Sequence, residues 1–221
     1  MKKIRTLVEC AVLIALATVL SVIKIYEAPL GGSVTLFSMV PIILISFRHG
    51  IKWGLGSGFV YSVIQLLLGL KNVMYVPGAV GIILCILLDY ILPFTLLGLA
   101  GISHLSPAGD IPPLAREGKN KFIFPSLAKG WGTVRRRWGD SVLRVFFVCI
   151  LRYLCHVLSG AVVWYELTKA GGWNDLVMQT GMWMYSIIYN TSYMLPETVI
   201  TLIGTPIILK LTFIKKFRLD K

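Results

Sequence analysis

Charged side chains are scarce in this sequence: Asp, Glu, Lys and Arg supply 14% of its 221 residues, where an average soluble domain carries about 25%. Acidic residues are the scarcest, ten in all, and neither a paired-carboxylate arrangement nor an HExxH lies within the apolar segments. An intramembrane protease or lipid transferase would lack its usual catalytic groups here. No GxxxxGK[ST] loop is present, which excludes ATP hydrolysis by that route. The cysteines Cys10, Cys85, Cys149 and Cys155 form no CxxC pair and sit inside apolar runs, as small buried hydrophobes do. Catalytic residues, metal ligands and cofactors are therefore not expected.

What the chain has in abundance is apolar surface. Hydrophobic residues make up 56% and the mean hydropathy is +0.78, more than a soluble core of this length can enclose. Lipid must cover the rest. A bilayer core about 30 Å thick takes roughly 20 helical residues, and six segments qualify or nearly do. The expectation is an all-α, polytopic membrane protein forming one domain over 1–221, with helices at about 4–26, 33–47, 50–70, 76–102, 141–167 and 181–213. The first follows a basic start but runs too long for a signal peptide, and is kept as a helix. The second is short and contains Pro41. The polar stretch 103–140, with Pro107, Pro112, Pro113, Pro125 and Arg135 to Arg137, is expected to be a loop, partly disordered or lying on the membrane surface.

The net charge of +12 would fit a nucleic-acid binder if it were gathered into a basic-aromatic module. It is not, and nucleic acid is not expected as a partner. Sixteen of the 22 Lys and Arg fall at the N-terminus (Lys2, Lys3, Arg5), at Arg48 and Lys52, between Arg116 and Arg137, and in the tail from Lys215 to Lys221. Six crossings put all four groups on one side, leaving Lys24, Lys71 and Lys169 near the other. By the positive-inside rule both termini are cytoplasmic, with anionic lipid head groups as a secondary attraction.

Ionisable groups inside lipid are costly and mark candidate sites. Asp89 lies near the middle of the fourth segment. A lone carboxylate there is protonated, paired with Arg152 or Arg144, facing water, or neutralised by a cationic ligand. The fifth segment places Arg152, His156, Gly160 and Trp164 four residues apart, on one helical stripe. Gly160 is expected to leave room there, and Trp164 to offer a flat face that attracts a cation or to serve as an interfacial belt residue. Tyr185 and Asn190 reach a common cavity obliquely, and Asn190 offers both a donor and an acceptor, or else joins helices. Glu9 is expected to snorkel or to meet a partner, and Glu197 follows a helix-bending Pro196 without an assigned role. Ala11 and Ala15, extended by Ala17, form a smooth face for close helix approach.

Taken together, these residues resemble the thiamine-specific S component of energy-coupling factor (ECF) vitamin transporters. The resemblance rests on Val40 to Gly50, Leu88-Asp89-Tyr90, Leu151-Arg152-Tyr153 with His156, Gly160 and Trp164, and Tyr185 with Asn190. It implies a six-helix S-component fold that captures extracellular thiamine in a pocket near the outer face. By position, Asp89 matches an acidic residue holding the aminopyrimidine, followed by Tyr90 in the pocket. Trp164 and His156 match residues flanking the thiazolium, Tyr185 and Asn190 match further polar contacts, and Tyr75 matches a pocket tyrosine. The loop Glu27 to Ser33 lacks the lid tryptophan of some members, and Trp173 is the aromatic matched to it. Ala11 and Ala15 match the surface that meets a transmembrane coupling subunit, with two ATPase subunits completing the assembly. The alternatives are an S component for a different vitamin or precursor and, from another class, an intramembrane enzyme.

Overall fold

The structure is a computed structural model that describes residues 2–28, 31–102 and 127–219; for residues 2, 127–138 and 210–219 the backbone alone is described. The chain is helical apart from one short hairpin. Helix α1 covers Lys2–Val22 and stops short of the expected Tyr26. The Lys-Ile-Tyr-Glu that follows forms strand β1, Lys24–Glu27, paired antiparallel with β2, Ser33–Thr35. β-Branched Ile25 and aromatic Tyr26 at its centre favour a strand over a further helical turn.

The second expected helix is half as long as a span. Helix α2 runs Val40–His49, about 15 Å at 1.5 Å per residue, and Pro41 falls in its first turn, where a missing N–H costs nothing. The residues expected to begin it, 33–39, are instead β2 and an irregular link. Helix α3 follows directly at Ile51–Leu68, then a single turn, α4, Leu70–Val73. A composite rod, Ala79–Gly101, consists of α5 (Ala79–Cys85), a π turn (Ile86–Ile91), α6 (Leu92–Thr95) and a 3₁₀ segment (Leu96–Gly101). Helix α7 runs Leu127–Ser159 and continues through a second π turn, Gly160–Trp164, into α8, Tyr165–Gly171. Short α9, Asp175–Gln179, leads to α10, Met182–Leu219.

Of the expected loop 103–140, residues 103–126 lie outside the described residues. From Leu127 the backbone is helical, ahead of the expected start at Ser141. All four prolines of the stretch precede Leu127, so nothing after it removes a helical hydrogen bond. Among the described residues five helices are long and apolar enough to cross a membrane, and Val40–His49 is a shorter apolar one.

Helix α2 is the centre of the bundle. Its residues Val40 to Ser46 are all buried, and Ile42, Ile43 and Ile45 share a core with Tyr61, Leu97, Val145 and Val148. The Ser46 hydroxyl donates to the carbonyl of Gly98 and accepts from the amide of Gly101 at 2.7 Å. Helix α3 meets the same rod backbone to backbone: a Cβ on Gly98 would lie 2.3 Å from the carbonyl carbon of Gly54. At the other end of α2, Glu9 bonds Arg48 at 2.5 Å and His49 at 3.1 Å. It is held within the chain rather than left to snorkel. The outer surface is apolar, with Leu7, Val12, Val19, Leu154 and Val162 among the exposed large side chains, the inverse of a soluble protein and the arrangement lipid requires. Gly98→Val should cost about 3 kcal/mol or more through overpacking against backbone that has nowhere to move. Gly56→Ala, which meets nothing within 4 Å, should stay within about 0.5 kcal/mol. Thermal unfolding of the detergent-solubilised protein checks both.

Candidate ligand-binding site

Between the hairpin, α3, the composite rod, α7 and α10 lies a cavity of about 630 Å³, within the range of small-molecule sites. Exposed Lys24 and Glu27, paired at 2.6 Å, stand on its rim and carry it to the surface at the hairpin end. Backbone that is neither helix nor paired strand is tolerated at membrane depth where it lines such a hollow, and Thr35 and Ser38 of the irregular stretch do line it.

The upper wall is organised by Asp89, which sits in the π turn of the rod. Its carboxylate accepts from Trp164 Nε1 at 2.8 Å and Ser159 Oγ at 2.7 Å, lies 3.2 Å from His156 Nδ1, and is approached by Cys85 Sγ at 3.5 Å. Trp164 ends the second π turn, so the two wide turns face each other across this carboxylate. Each inserts a residue into its helical repeat and re-aims the side chains on it, which is why such turns recur at functional sites. With Nδ1 donating to Asp89, the imidazole presents Nε2 as its free edge. That nitrogen is buried without a partner among the described residues.

Asp89 forms no ion pair with Lys or Arg among the described residues; Arg152 is taken by Glu197, Nη1 to Oε2 3.6 Å. The pairing with Arg152 or Arg144 considered from sequence therefore gives way to hydrogen bonds from His156, Ser159 and Trp164. Glu197, without an assigned role from its position in the chain, lies on the cavity floor, where Thr35 Oγ1 donates to its Oε1 at 2.8 Å. Of the side chains lining the cavity, Asp89, Glu197 and Glu27 are carboxylic and Arg152 and Lys24 basic, a formal excess of one acidic group.

A third wall is aromatic. Tyr185, Tyr189 and Tyr193 recur every four residues along α10 and all line the cavity. Tyr185 and Tyr189 stack at 5.8 Å and 22°, and Tyr193 meets Tyr189 edge-on at 5.9 Å. This spacing was visible in the sequence, although only Tyr185 had been singled out. Tyr189 donates to the carbonyl of Gly31 at 2.9 Å, fastening the hairpin loop over the wall. Gly31 and Gly32 have φ of +91° and +88°, and a Cβ on them would meet Asn72 at 2.8 Å and the Tyr193 ring at 2.6 Å. Only glycine meets both demands.

Of the residues proposed from sequence, Asp89, Tyr90, His156, Trp164, Tyr185 and Asn190 all line this cavity. Tyr90 also donates to the carbonyl of Gly69 at 3.0 Å. Asn190 is largely spoken for within the protein: its Nδ2 donates to the carbonyl of His156 at 3.2 Å and that of Ser186 at 2.9 Å, and Tyr193 donates to its Oδ1 at 2.5 Å. Gly160, expected to leave room for a guest, lines the cavity and also admits α10, since a Cβ there would lie 2.3 Å from Ser186 Oγ. Tyr75 is off the cavity wall, exposed and edge-on to Trp173 at 6.1 Å. Ala11 and Ala15 are exposed on α1, while Ala17 points into the core and leaves their face. No three His, Cys, Asp or Glu side chains converge to hold a metal among the described residues.

Residues 7–217 match the family described as Thiamine transporter protein (Thia_YuaJ). The chain is 31% identical over 202 residues to thiamine transporter ThiT of Bacillus subtilis (strain 168), covering 90% of this chain and 87% of that protein. It is 24% identical over 209 residues to thiamine transporter ThiT of Lacticaseibacillus paracasei, covering 94% and 88%. A solved structure of ThiT from Listeria monocytogenes superposes with a TM-score of 0.65 at 20% identity, over 96% of each chain, and shares the fold. The family is one of transporters rather than enzymes, and with a match spanning nearly its whole length this chain belongs to the Thiamine transporter protein (Thia_YuaJ) family.

Proposed function

We propose that the chain is the thiamine-binding S component of an ECF importer. In this reading it captures extracellular thiamine in the cavity and delivers it inward when docked to a transmembrane coupling subunit driven by two ATPase subunits. The observation that carries the reading is a mostly enclosed carboxylate, Asp89, held by side-chain hydrogen bonds with no Lys or Arg paired to it among the described residues. A fixed cation supplies the missing charge. Thiamine is such a cation and carries two aromatic rings, for which Trp164, Tyr90 and the α10 tyrosines provide apolar faces. His156 Nε2 is available to its exocyclic amine. No bond of the guest needs to be broken, and the chain needs only to bind and release.

The topology in this proposal has six crossings with both termini cytoplasmic, the second completed by α2 together with the extended stretch 33–39. The hairpin end and the cavity rim then face outward. Ala11 and Ala15, exposed on α1, form the contact with the coupling subunit.

Isothermal titration of the purified protein should give saturable thiamine binding far below about 1 mM, the level at which binding amounts to only about 4 kcal/mol. An absence of binding at that level rejects thiamine, and binding of another vitamin in its place would move the assignment to that compound. Asp89→Asn keeps the shape and removes the charge, and should weaken thiamine by about 30-fold or more, the scale of breaking a buried charged contact. Unchanged affinity would remove Asp89 from the site. Trp and Ala differ in bulk where helices must touch, so replacing Ala11 and Ala15 together by Trp should leave binding to the isolated chain within about twofold while abolishing ATP-driven uptake in cells. Uptake at the normal rate would place the coupling contact elsewhere.

A further inference from the structure

Helices α7 and α10 continue past the apolar segments at the same end of the bundle, and what they carry there is charge of one sign. Residues 127–138 include Lys129 and Arg135 to Arg137, residues 210–219 include Lys210, Lys215, Lys216 and Arg218, and neither stretch has an Asp or Glu. The backbone of both is helical. The two helices run antiparallel and side by side, for His156 meets Asn190, Cys149 meets Thr198, and Arg152 meets Glu197. Continued toward the charged ends, that register sets Arg135 to Arg137 level with about residues 209–214, and Lys215 and Lys216 level with about 131–133. The nearest acids are engaged below this band. Asp140 acts on buried Arg144, and Glu9 is bound by Arg48 and His49.

From this placement we infer that the paired ends of α7 and α10 are a docking site for the anionic phosphate head groups of the inner leaflet. The inference rests on the proposed six-crossing topology, which sets the leaflet, and places on two helix ends an attraction that composition leaves spread over one whole side. Height is the first argument. At 1.5 Å per residue, Arg135 to Arg137 stand about 6–9 Å beyond Ser141, where the apolar run begins, and a head-group layer takes up about 5–7 Å on each side of the hydrocarbon. Lys215 and Lys216 stand about 7 Å higher, within roughly a Debye length of that layer at physiological salt. Charge is the second argument. Packed helix axes are about 8–10 Å apart, so two neighbours carrying only cations repel at that spacing, and a phosphate between them relieves the repulsion. Composition is the third. Trp131, Arg135 and Trp138 fall at i, i+4 and i+7, on one helical stripe, and Trp favours the boundary between membrane and water. A nucleic acid or an acidic protein would meet the same cations only by displacing head groups already at their height. His156 on α7 and Tyr185 on α10 line the hollow, so a lipid joining the two helix ends steadies two of its walls.

The test equilibrates the purified full-length protein in micelles holding equal amounts of phosphatidylglycerol and phosphatidylcholine, and reads the retained lipids by native mass spectrometry. Wild type should retain phosphatidylglycerol over phosphatidylcholine by about tenfold or more, since several cations each contribute about fivefold at a charged surface. Arg135→Gln, Arg136→Gln and Arg137→Gln together should reduce that ratio at least about fivefold, while thiamine affinity stays within about twofold. Lys215→Gln with Lys216→Gln should lower it in the same direction, which keeps the test decisive should the triple variant fail to fold. Lys71→Gln with Lys169→Gln removes two cations from the opposite end and should leave the ratio unchanged. Equal retention of the two lipids by wild type overturns the inference, as does an unchanged ratio in both basic-end variants or an equal loss in the Lys71 and Lys169 variant. A triple variant that keeps its lipid ratio but loses ATP-driven uptake in cells overturns it as well, and assigns the basic ends to an acidic protein surface. Lipid selectivity in micelles does not depend on sidedness, whereas protease removal of a C-terminal tag from outside intact cells would overturn the topology, so the two failures are distinguishable.

Discussion

The Asp89 carboxylate accepts hydrogen bonds from Trp164 and Ser159 and lies against His156, and these contacts join two π turns on helices that are far apart in sequence. Both turns depart from the regular helical ladder. Each has an additional residue to accommodate, and the energy to hold it comes from the bonds that meet at the carboxylate. Cavity size, the facing of Trp164 and the free edge of His156 all follow from that junction. No Lys or Arg among the described residues pairs with that carboxylate, and in a medium where unpaired polar groups are expensive its hydrogen bonds are what hold it in place.

The same economy governs the second apolar segment. A full helix there would fill the bundle and present a continuous apolar face. By stopping α2 at Val40 and letting the chain run extended from Ser33, the fold puts Thr35 and Ser38 beside the hollow and lets Glu197, distant by 162 positions, be satisfied by Thr35. The cost of non-helical backbone is met by the cavity itself, whose polar lining and access to the rim replace the water that lipid would deny. The tight packing of α2, through Ser46, against Gly54, Gly98 and Gly101 supplies a rigid base for that irregular stretch.

The long apolar segments were legible because hydropathy and length are local properties. The rod expected over 76–102 is found at Ala79–Gly101, and the stripe from Arg152 to Trp164 does line one hollow. Asp89 stood out for the plain reason that lipid tolerates few carboxylates. Other features were hidden for definite reasons. Val34, Leu36 and Phe37 have the same hydropathy in a strand or link as in a helix, so the stretch before α2 read as its first turns. The π turns have no compositional mark. That Gly160 borders the hollow and also admits a neighbouring helix follows from the position of Ser186, which spacing along its own helix does not reveal. Glu197 was visibly out of place, but its partners Thr35 and Arg152 come from other elements, and spacing along α10 says nothing about them.

Gly31 and Gly32 press against Asn72 and Tyr193, and Tyr189 holds the Gly31 carbonyl, so the crown of the molecule is fastened to the very tyrosines that flank the hollow. A methyl added at Gly32 would press on the Tyr193 ring, and one at Gly31 on Asn72, so the crown could not sit down without displacing groups that line the hollow. These two positions, with no side chain of their own, therefore fix how closely the crown is seated on the wall beneath it.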